Sequence, residues 1–469
     1  MLSFFPKQIS NKAIAVYIAS LAVVSIVYMD YAMSFKFMLI GLAFVFMFFH
    51  FSNTLSVSWK NLSPKTFTTK LFWMALALRV VWVVFSYYFY IANTGQPFEW
   101  GAADSQGYHD TATWLSEIGW DGMWNYEFHN KVGVSDAGYE IYLFLVYSIF
   151  GPNIFITRLL KAIWGALTCV LIYRLTSRNF GESTGRMAGL FCVFMPNLII
   201  YSGLHLKETE MLLLTVAFVE RADYLLRSRK FNFWNIAVVA ILALSLFFFR
   251  TVLGGVAIAS FFTGLVFASE KVIKKGKKIL LILVGLLFVA VIAGGTISTE
   301  VEQYWNDRGT NQDNRRMEQV SRGANWAKYA TGAVMAPMVF VLPFATMVDV
   351  SEQYSQQLIH GGNFVKNFMG VFVILAFFYL VFVNKKWRDH ALVGSFTIGY
   401  LLVVAMSAFA NAERFLLPAV PFLLAFSAYG VSQLTAKSFK FVKIWCFVVI
   451  LMEFGWAFFK LGSRGIVGF

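Results

Sequence analysis

Hydrophobic positions run in blocks long enough to cross a lipid bilayer, separated by short clusters of polar and charged residues. A spanning helix needs about 20 consecutive apolar residues. That rule picks out blocks at about 13–29, 34–52, 70–92, 156–176, 184–203, 206–226, 233–249, 252–269 and 279–297. Four more follow at about 363–383, 390–410, 415–434 and 440–460, which makes roughly thirteen spans. The fold class expected is therefore an all-α polytopic membrane protein. Two apolar stretches break the rule. The run 139–150 is too short to span and is closed by Gly151-Pro152, so a helix lying along the surface costs less. The run 331–350 carries Pro337 and Pro343, which suits a re-entrant or interfacial element better than a span.

Charge orients the blocks. Lys60, Lys65 and Lys70, then Arg174, Arg178 and Arg186, then Arg221, Arg227, Arg229 and Lys230 mark one face, and Lys271, Lys274, Lys275, Lys277 and Lys278 mark it most strongly. The positive-inside rule makes that face cytoplasmic, with the N-terminus inside and the C-terminus outside. The segment 92–155, the connection 202–208, the hairpin tip at Arg250 and a polar loop from Ser298 to about Tyr329 then lie outside. Trp100, Trp114, Trp120 and Trp124 are spread along the first of these, as suits a headgroup region. Four regions follow: an N-terminal hairpin and loop (1–69), a module of spans (70–297), an outer loop with an irregular element (298–362) and C-terminal helices (363–469).

Composition agrees with this reading. Hydrophobic residues make up 58% of the chain and charged residues 14%, and mean hydropathy is +0.64. A net charge of +14 does not indicate nucleic acid here, because the basic residues sit in short loops where they meet anionic lipid. Cys169, Cys192 and Cys446 all lie in apolar stretches without metal-type spacing and read as buried thiols. The first apolar run has no small-residue cleavage site after it and reads as a retained anchor.

The densest chemistry lies in Gly101-Ala-Ala-Asp104-Ser-Gln-Gly-Tyr108-His109-Asp110, directly after the third block. In a helix Tyr108 shares the face of Asp104, and Ala112 and Leu115 continue it. Asp104 is either a reactive acid or a cap on an interfacial helix. His205, Lys207 and Glu208 stand at another outer boundary, where Glu208 can serve the site, face headgroups or pair with Lys207. Arg250 sits at a hairpin tip beside Phe247, Phe248, Phe249 and Thr251, where it can bind phosphate or snorkel to lipid. Glu413-Arg414 precedes Phe415-Leu-Leu-Pro418-Ala-Val-Pro421 and can be a local ion pair or part of the site. Arg79 lies mid-span, which points to function or to a buried structural partner. His109, Asp110, His205 and Glu208 can ligate a divalent metal, though their spacing does not require one.

The order of these features resembles the bacterial polyprenyl-phosphate-sugar-dependent glycosyltransferases of the GT-C superfamily, whose relatives include the protein O-mannosyltransferases and the lipid A aminoarabinose transferases. The likeness rests on Asp104-Ser105 with Tyr108-His109, Gly138-Tyr139 with Tyr142-Leu143, Phe150-Gly151 with Arg158, Tyr173-Arg174-Leu175 with Phe180-Gly181, and Pro196 through Ser202-Gly203 to Glu208. Glu413-Arg414-Phe415 with Pro418 and Pro421 matches the late motif, with Phe in place of Tyr. It covers residues 70–230 firmly, 230–400 weakly, and returns near 413. Two extra N-terminal spans, Lys207 before Glu208 and a short outer loop in place of a soluble domain depart from the usual pattern.

The resemblance implies a GT-C-like bundle with outer interfacial helices and a sugar donor carried on polyprenyl phosphate. The acceptor is a glycan, a lipid or a protein. Such a donor brings its own leaving group, so one general base suffices for a single displacement with inversion, and Asp104 is assigned to it. Arg158, Lys207, Arg250 and Arg414 are the cations suited to the departing phosphate. Tyr108, His109, Asp110, Tyr139, His205 and Glu208 are assigned to substrate binding. No cofactor is required. A lipid-linked glycan flippase, or a polymerase or ligase using a pyrophosphate-linked donor, stands as the alternative.

Overall fold

The computed structural model describes residues 2–130, 134–228, 232–292, 340–350, 353–407 and 412–462, with a few positions between 299 and 306. The chain is an integral, multi-pass membrane protein, and among the described residues it forms helices and no strand beyond one isolated bridge, Ala32 with Val348. Eight helices are long and apolar enough to cross a membrane. They are α1 (Lys7–Val27), α2 (Phe35–Ser58), α3 (Pro64–Thr94), α6 (Ile154–Phe180), α13 (Tyr354–Val383), α14 (Trp387–Met406), α15 (Glu413–Ser432) and α16 (Ser438–Gly462). A ninth forms if α7 (Glu182–Phe194) and α8 (Pro196–Gly203) count as one span bent by 54°.

Each of the thirteen expected blocks is largely helical over its described residues, but length and apolarity do not establish thirteen spans. Helix α9 (Glu208–Arg227) is long enough yet carries charges at both ends. Helices α10 (Phe233–Phe249) and α11 (Thr251–Phe267) have 17 residues each, and the described part of α12 (Lys275–Ile292) has 18 and opens with lysines. The short run 139–150 is a separate helix, α5 (Ala137–Phe150), packed against α4 (Ala103–Asn125). Of the run 331–350, residues 340–350 are described. They are non-helical and largely buried, and residues 331–339 lie outside the described residues. Their backbone is satisfied by side chains, as irregular chain inside a membrane protein must be. Asn367 Nδ2 donates to the Val341 and Pro343 carbonyls at 2.6 and 3.1 Å, and Ala345 N donates to Glu453 Oε2 at 2.8 Å.

Local sequence sets the helix ends that matter for the site. Helix α3 starts on Ser63, whose hydroxyl accepts from Thr66 N at 3.2 Å, with Pro64 in the first turn. It stops at Gly95, which takes φ 79°, a conformation that disfavours side chains. Asn153 caps α6 by accepting from Phe155 N and Ile156 N at 3.0 and 3.2 Å. Pro196 supplies no amide hydrogen, so the chain bends there and α8 is aimed away from α7.

Helices α3, α6, α7 and α9 pack together, and α15 lies between them and α13. In α15, 94% of its most apolar stretch is buried, whereas in α16 only 28% is, and Ile444, Phe447 and Leu451 face outward as lipid-contacting residues do. Arg79 is fully buried in α3 and donates to the carbonyls of Ala75 and Cys192 at 3.1 and 3.2 Å. Its partners are structural, and Gly165 makes room for it: a Cβ there would stand 2.5 Å from Arg79 Nε. Cys169 and Cys192 are buried free thiols and Cys446 is partly buried.

Candidate active site

Four charged residues from four parts of the chain meet where α4, α9 and α15 begin and the α10–α11 hairpin turns. Asp104 occupies the first turn of α4 and not its cap position, which Ala102 holds. It accepts a hydrogen bond from Arg414 Nη1. Arg414 Nε lies 3.4 Å from Glu208 Oε1, and Arg250 Nη2 lies 3.6 Å from the same oxygen. Glu208 thus stands between two guanidinium groups, with its side chain 1% exposed. Both arginines stack on Phe415, at 4.5 Å for Arg250 and 5.2 Å for Arg414. Neither carboxylate oxygen of Glu208 accepts a hydrogen bond among the described residues.

These contacts decide three alternatives that the sequence leaves open. Arg414 does not pair with its neighbour Glu413, because adjacent residues on a helix do not face each other. Glu413 instead accepts from Asn197 Nδ2. Arg250 is paired inward, with its side chain 11% exposed, and so does not merely snorkel. Lys207 does not hold Glu208. It contacts Asp136 Oδ1 and donates to the Phe249 carbonyl at 2.8 Å, tying the outset of α5 to the end of α10. Burial, aided by the nearby Arg250 charge and opposed by Glu208, pushes the Lys207 ammonium down to about 7.

The remaining expected residues form a supporting layer. Tyr108 is buried and meets Tyr139 edge-on at 5.0 Å, and burial followed by the Glu208 charge raises its phenol above the ordinary range. Tyr139 is fully buried, which raises its phenol too, and Lys161 sits 5.3 Å over its ring. His109 Nδ1 shares a 2.8 Å hydrogen bond with the Tyr147 hydroxyl, which in turn lies 3.2 Å from His205 Nε2. Burial lowers both imidazoles, His205 well below its ordinary value, so this chain is neutral and serves to fix α4 against α5 and the 204–207 connection. Asp110 is exposed and acts on His109 by charge alone. Arg158 is fully buried and turned to the Pro97 carbonyl at 2.5 Å, so it braces the connection between α3 and α4 and does not join the Glu208 cluster. Among the described residues no three of His, Cys, Asp and Glu are grouped to hold a metal ion.

Four partners went unseen in the sequence. Asp136 and Lys161 were hidden because their contacts, Lys207 and Glu210, are distant in the chain. Glu210 is two residues past Glu208, and residues two apart on a helix do not share a face. Glu99, whose Oε1 accepts from Ser105 Oγ at 2.5 Å, stands at the opening of the 101–110 stretch. A carboxylate next to that stretch was the available signal.

Two cavities flank the Arg414–Phe415 step. One of about 230 Å³ is bordered by Glu99, Tyr201, Glu413, Arg414 and Trp456. The other, of about 290 Å³, is bordered by Arg250, Thr251, Tyr400, Val403 and Phe415. The cluster can therefore hold an anion on guanidinium groups while a carboxylate stands within reach of a second ligand.

Among known proteins the chain has distant structural likenesses and a family match. An oligosaccharyltransferase from Archaeoglobus fulgidus, solved with zinc and sulfate, superposes with a TM-score of 0.47 at 12% identity, over 84% of this chain and 53% of that one. The same organism's oligosaccharyltransferase AglB, solved with an inhibitory peptide and a dolichol-phosphate, gives 0.44 at 12% identity, over 85% and 56%. The chain spans about half the length of both. No curated protein matches the sequence. The motif order in the sequence points to the GT-C superfamily, and the matching family model falls within it, while the narrower likeness to O-mannosyl and aminoarabinose transferases is not what the model describes. That model aligns with residues 110–463, most of the chain though beginning just after Asp104, and the chain belongs to the Alg9-like mannosyltransferase family.

Proposed function

We propose that this chain transfers a sugar from a polyprenyl-phosphate donor to an acceptor hydroxyl at the outer face of the membrane, by single displacement with inversion. The observation that carries the reading is the shared Arg414, which joins Asp104 to Glu208 between two cavities. A donor phosphate competes with Asp104 for that guanidinium. As the phosphate docks on Arg414 and Arg250, the carboxylate is uncovered beside the acceptor. Asp104 then takes the hydroxyl proton while the acceptor oxygen bonds to the anomeric carbon and the carbon–phosphate-oxygen bond breaks. The leaving phosphate departs as an anion and needs no acid. Negative charge grows on it in the transition state, where fixed guanidinium groups are most effective. Glu208 holds the two arginines at the spacing the phosphate needs, and the donor's isoprenoid tail lies in lipid.

The family's name makes mannose the first sugar to test. Purified chain in nanodiscs, supplied with polyprenyl-phosphate mannose and membrane glycolipid acceptors, is expected to release polyprenyl phosphate and form a mannosylated product. Asp104→Asn keeps shape and should abolish transfer at unchanged folded yield, so an active Asp104→Asn would overturn the assignment. EDTA added to the same assay decides whether a divalent ion takes part. The outer-face placement has its own check. A cysteine at Gly107, which is exposed, should react with an impermeant maleimide on intact cells, and one at Lys274 should not.

A further inference from the structure

Lys161 lies early in α6 and is fully buried. A buried ammonium needs partners for its three N–H groups. It donates to the Leu206 carbonyl, lies 3.2 Å from Glu210 Oε2, and stands 5.3 Å from the centre of the Tyr139 ring. Two of these partners bracket the start of α9, since Leu206 precedes the cap residue Lys207 and Glu210 is third in the helix. Glu208 opens the same turn. Residues two apart on a helix point about 200° away from each other. Glu210 is therefore drawn toward α6, while Glu208 faces Arg250 and Arg414 from the opposite side of the turn.

We infer that Lys161 is a positioning residue for Glu208. Through Glu210 and the Leu206 carbonyl it sets the rotation of the first turn of α9, and so holds Glu208 where it keeps Arg250 and Arg414 spaced for the departing phosphate. This rests on the reading of the chain as a glycosyltransferase. Exchanging a buried ion pair for apolar side chains of similar size is often neutral or stabilising. Stability alone thus gives little reason to bury Lys161 against Glu210, whereas an oriented pair fixes the direction in which the turn presents its other acid. The setting is narrow, because misplacing a group by about 1 Å at a reacting centre costs on the order of a hundredfold.

The test uses the full chain in nanodiscs with both charges replaced, Lys161→Met/Glu210→Met, at similar side-chain length. Lys161→Met alone leaves Glu210 buried without a counter-charge and should lower the melting temperature, and the double substitution should recover most of that loss. Its kcat per folded molecule should still lie about ten- to a hundredfold below wild type, with donor KM changed less. Recovery of melting temperature and kcat together overturns the inference, since the pair then serves the fold alone. In a Glu208→Gln background the double substitution should lower kcat less than about twofold, because both changes act through one carboxylate. Losses that multiply overturn it. If the double variant fails to fold, Glu210→Asp decides. It keeps both charges but withdraws the carboxylate by one methylene, so kcat should fall severalfold near wild-type melting temperature, and wild-type kcat overturns the inference. Hydrogen exchange needs no turnover. The Met211 amide donates to the Lys207 carbonyl at 3.0 Å and should exchange at least about tenfold faster in either variant. Unchanged exchange overturns the positioning whatever the assay shows. A wild-type chain that transfers no sugar sinks the glycosyltransferase reading and leaves exchange to decide whether Lys161 sets the turn.

Discussion

Helix α9 carries buried acids at both ends, and the two ends use them differently. At its start, Glu208 faces Arg250 and Arg414 at 3.6 and 3.4 Å and accepts no hydrogen bond among the described residues. At its end, Asp223 Oδ1 accepts from Arg227 Nε at 2.9 Å, and Glu220 Oε1 accepts from Arg178 Nη2. Arg227 also donates to Asn179 Oδ1 at 2.8 Å and to the Asp389 carbonyl at 2.5 Å, so the far end of α9 is fastened to α6 and α14. The same residue types thus make a staple at one end and a loosely coordinated cluster beside two cavities at the other. Long contacts around a buried acid cost stability, and a fold keeps such costs where a ligand completes the coordination.

Chemistry should be lost only at the Glu208 end. The largest expected effect is that of Asp104→Asn. Removing a general base costs on the order of a hundred- to ten-thousandfold in rate, read as turnover per folded molecule, with the melting temperature held within a degree or two. An equal loss from a substitution at the Arg227 end would erase the distinction between the two clusters.

Arg250→Lys comes next. Lysine keeps the charge but lacks the planar fork, so turnover should fall about ten- to a hundredfold, the worth of roughly 1.5–3 kcal/mol for a charged hydrogen bond. If the contact tightens as charge develops on the phosphate, kcat falls more than donor affinity. Wild-type kinetics for Arg250→Lys would return the phosphate role to Lys207 or Arg414 alone.

How much of this was legible in the sequence follows from what each signal can carry. Block positions were legible because an apolar block declares itself locally, and each expected block is largely helical over its described residues, with 184–203 broken before Pro196. The number of spans was not, because α10 and α11 at 17 residues fall at the lower limit and α9 is charged at its ends. Asp104, Glu208, Arg250 and Arg414 stood out because a charge at a span end needs an explanation. Their pairing did not, since Asp104 and Arg414 are 310 positions apart and no spacing rule reaches that far. Glu413-Arg414 shows the same limit at short range, where adjacency suggested a pair that helix geometry forbids.

The Arg227 end should give the mirror image of the first two results. Arg178→Met leaves Glu220 and Asp223 short of a partner in a buried setting. Breaking a fully buried pair costs about 3–5 kcal/mol, and because the Arg178 side chain is 21% exposed, solvent screening brings this to about 1–3 kcal/mol. The loss should appear as a lower melting temperature, with turnover per folded molecule unchanged.

The smallest effect is a pH dependence that Lys207 gives the Glu208 end. Burial holds the Lys207 ammonium down to about 7. Its contact Asp136 is 38% exposed, so solvent screens that pair and burial prevails. The unfolded chain keeps Lys207 protonated up to the ordinary lysine value of about 10.4. Between about 7 and that value the unfolded state therefore binds more protons than the folded state, and stability rises with pH across the window. Below about 7 both states are charged and the contribution is flat. Melting temperatures taken from pH 6 to pH 9.5 should climb above neutrality in the wild type. The climb should be smaller in Lys207→Met, which has nothing to titrate there, and unaltered in Arg178→Met. Parallel curves for the wild type and Lys207→Met would mean that Asp136 keeps the ammonium charged, and the pH dependence assigned to Lys207 would be lost.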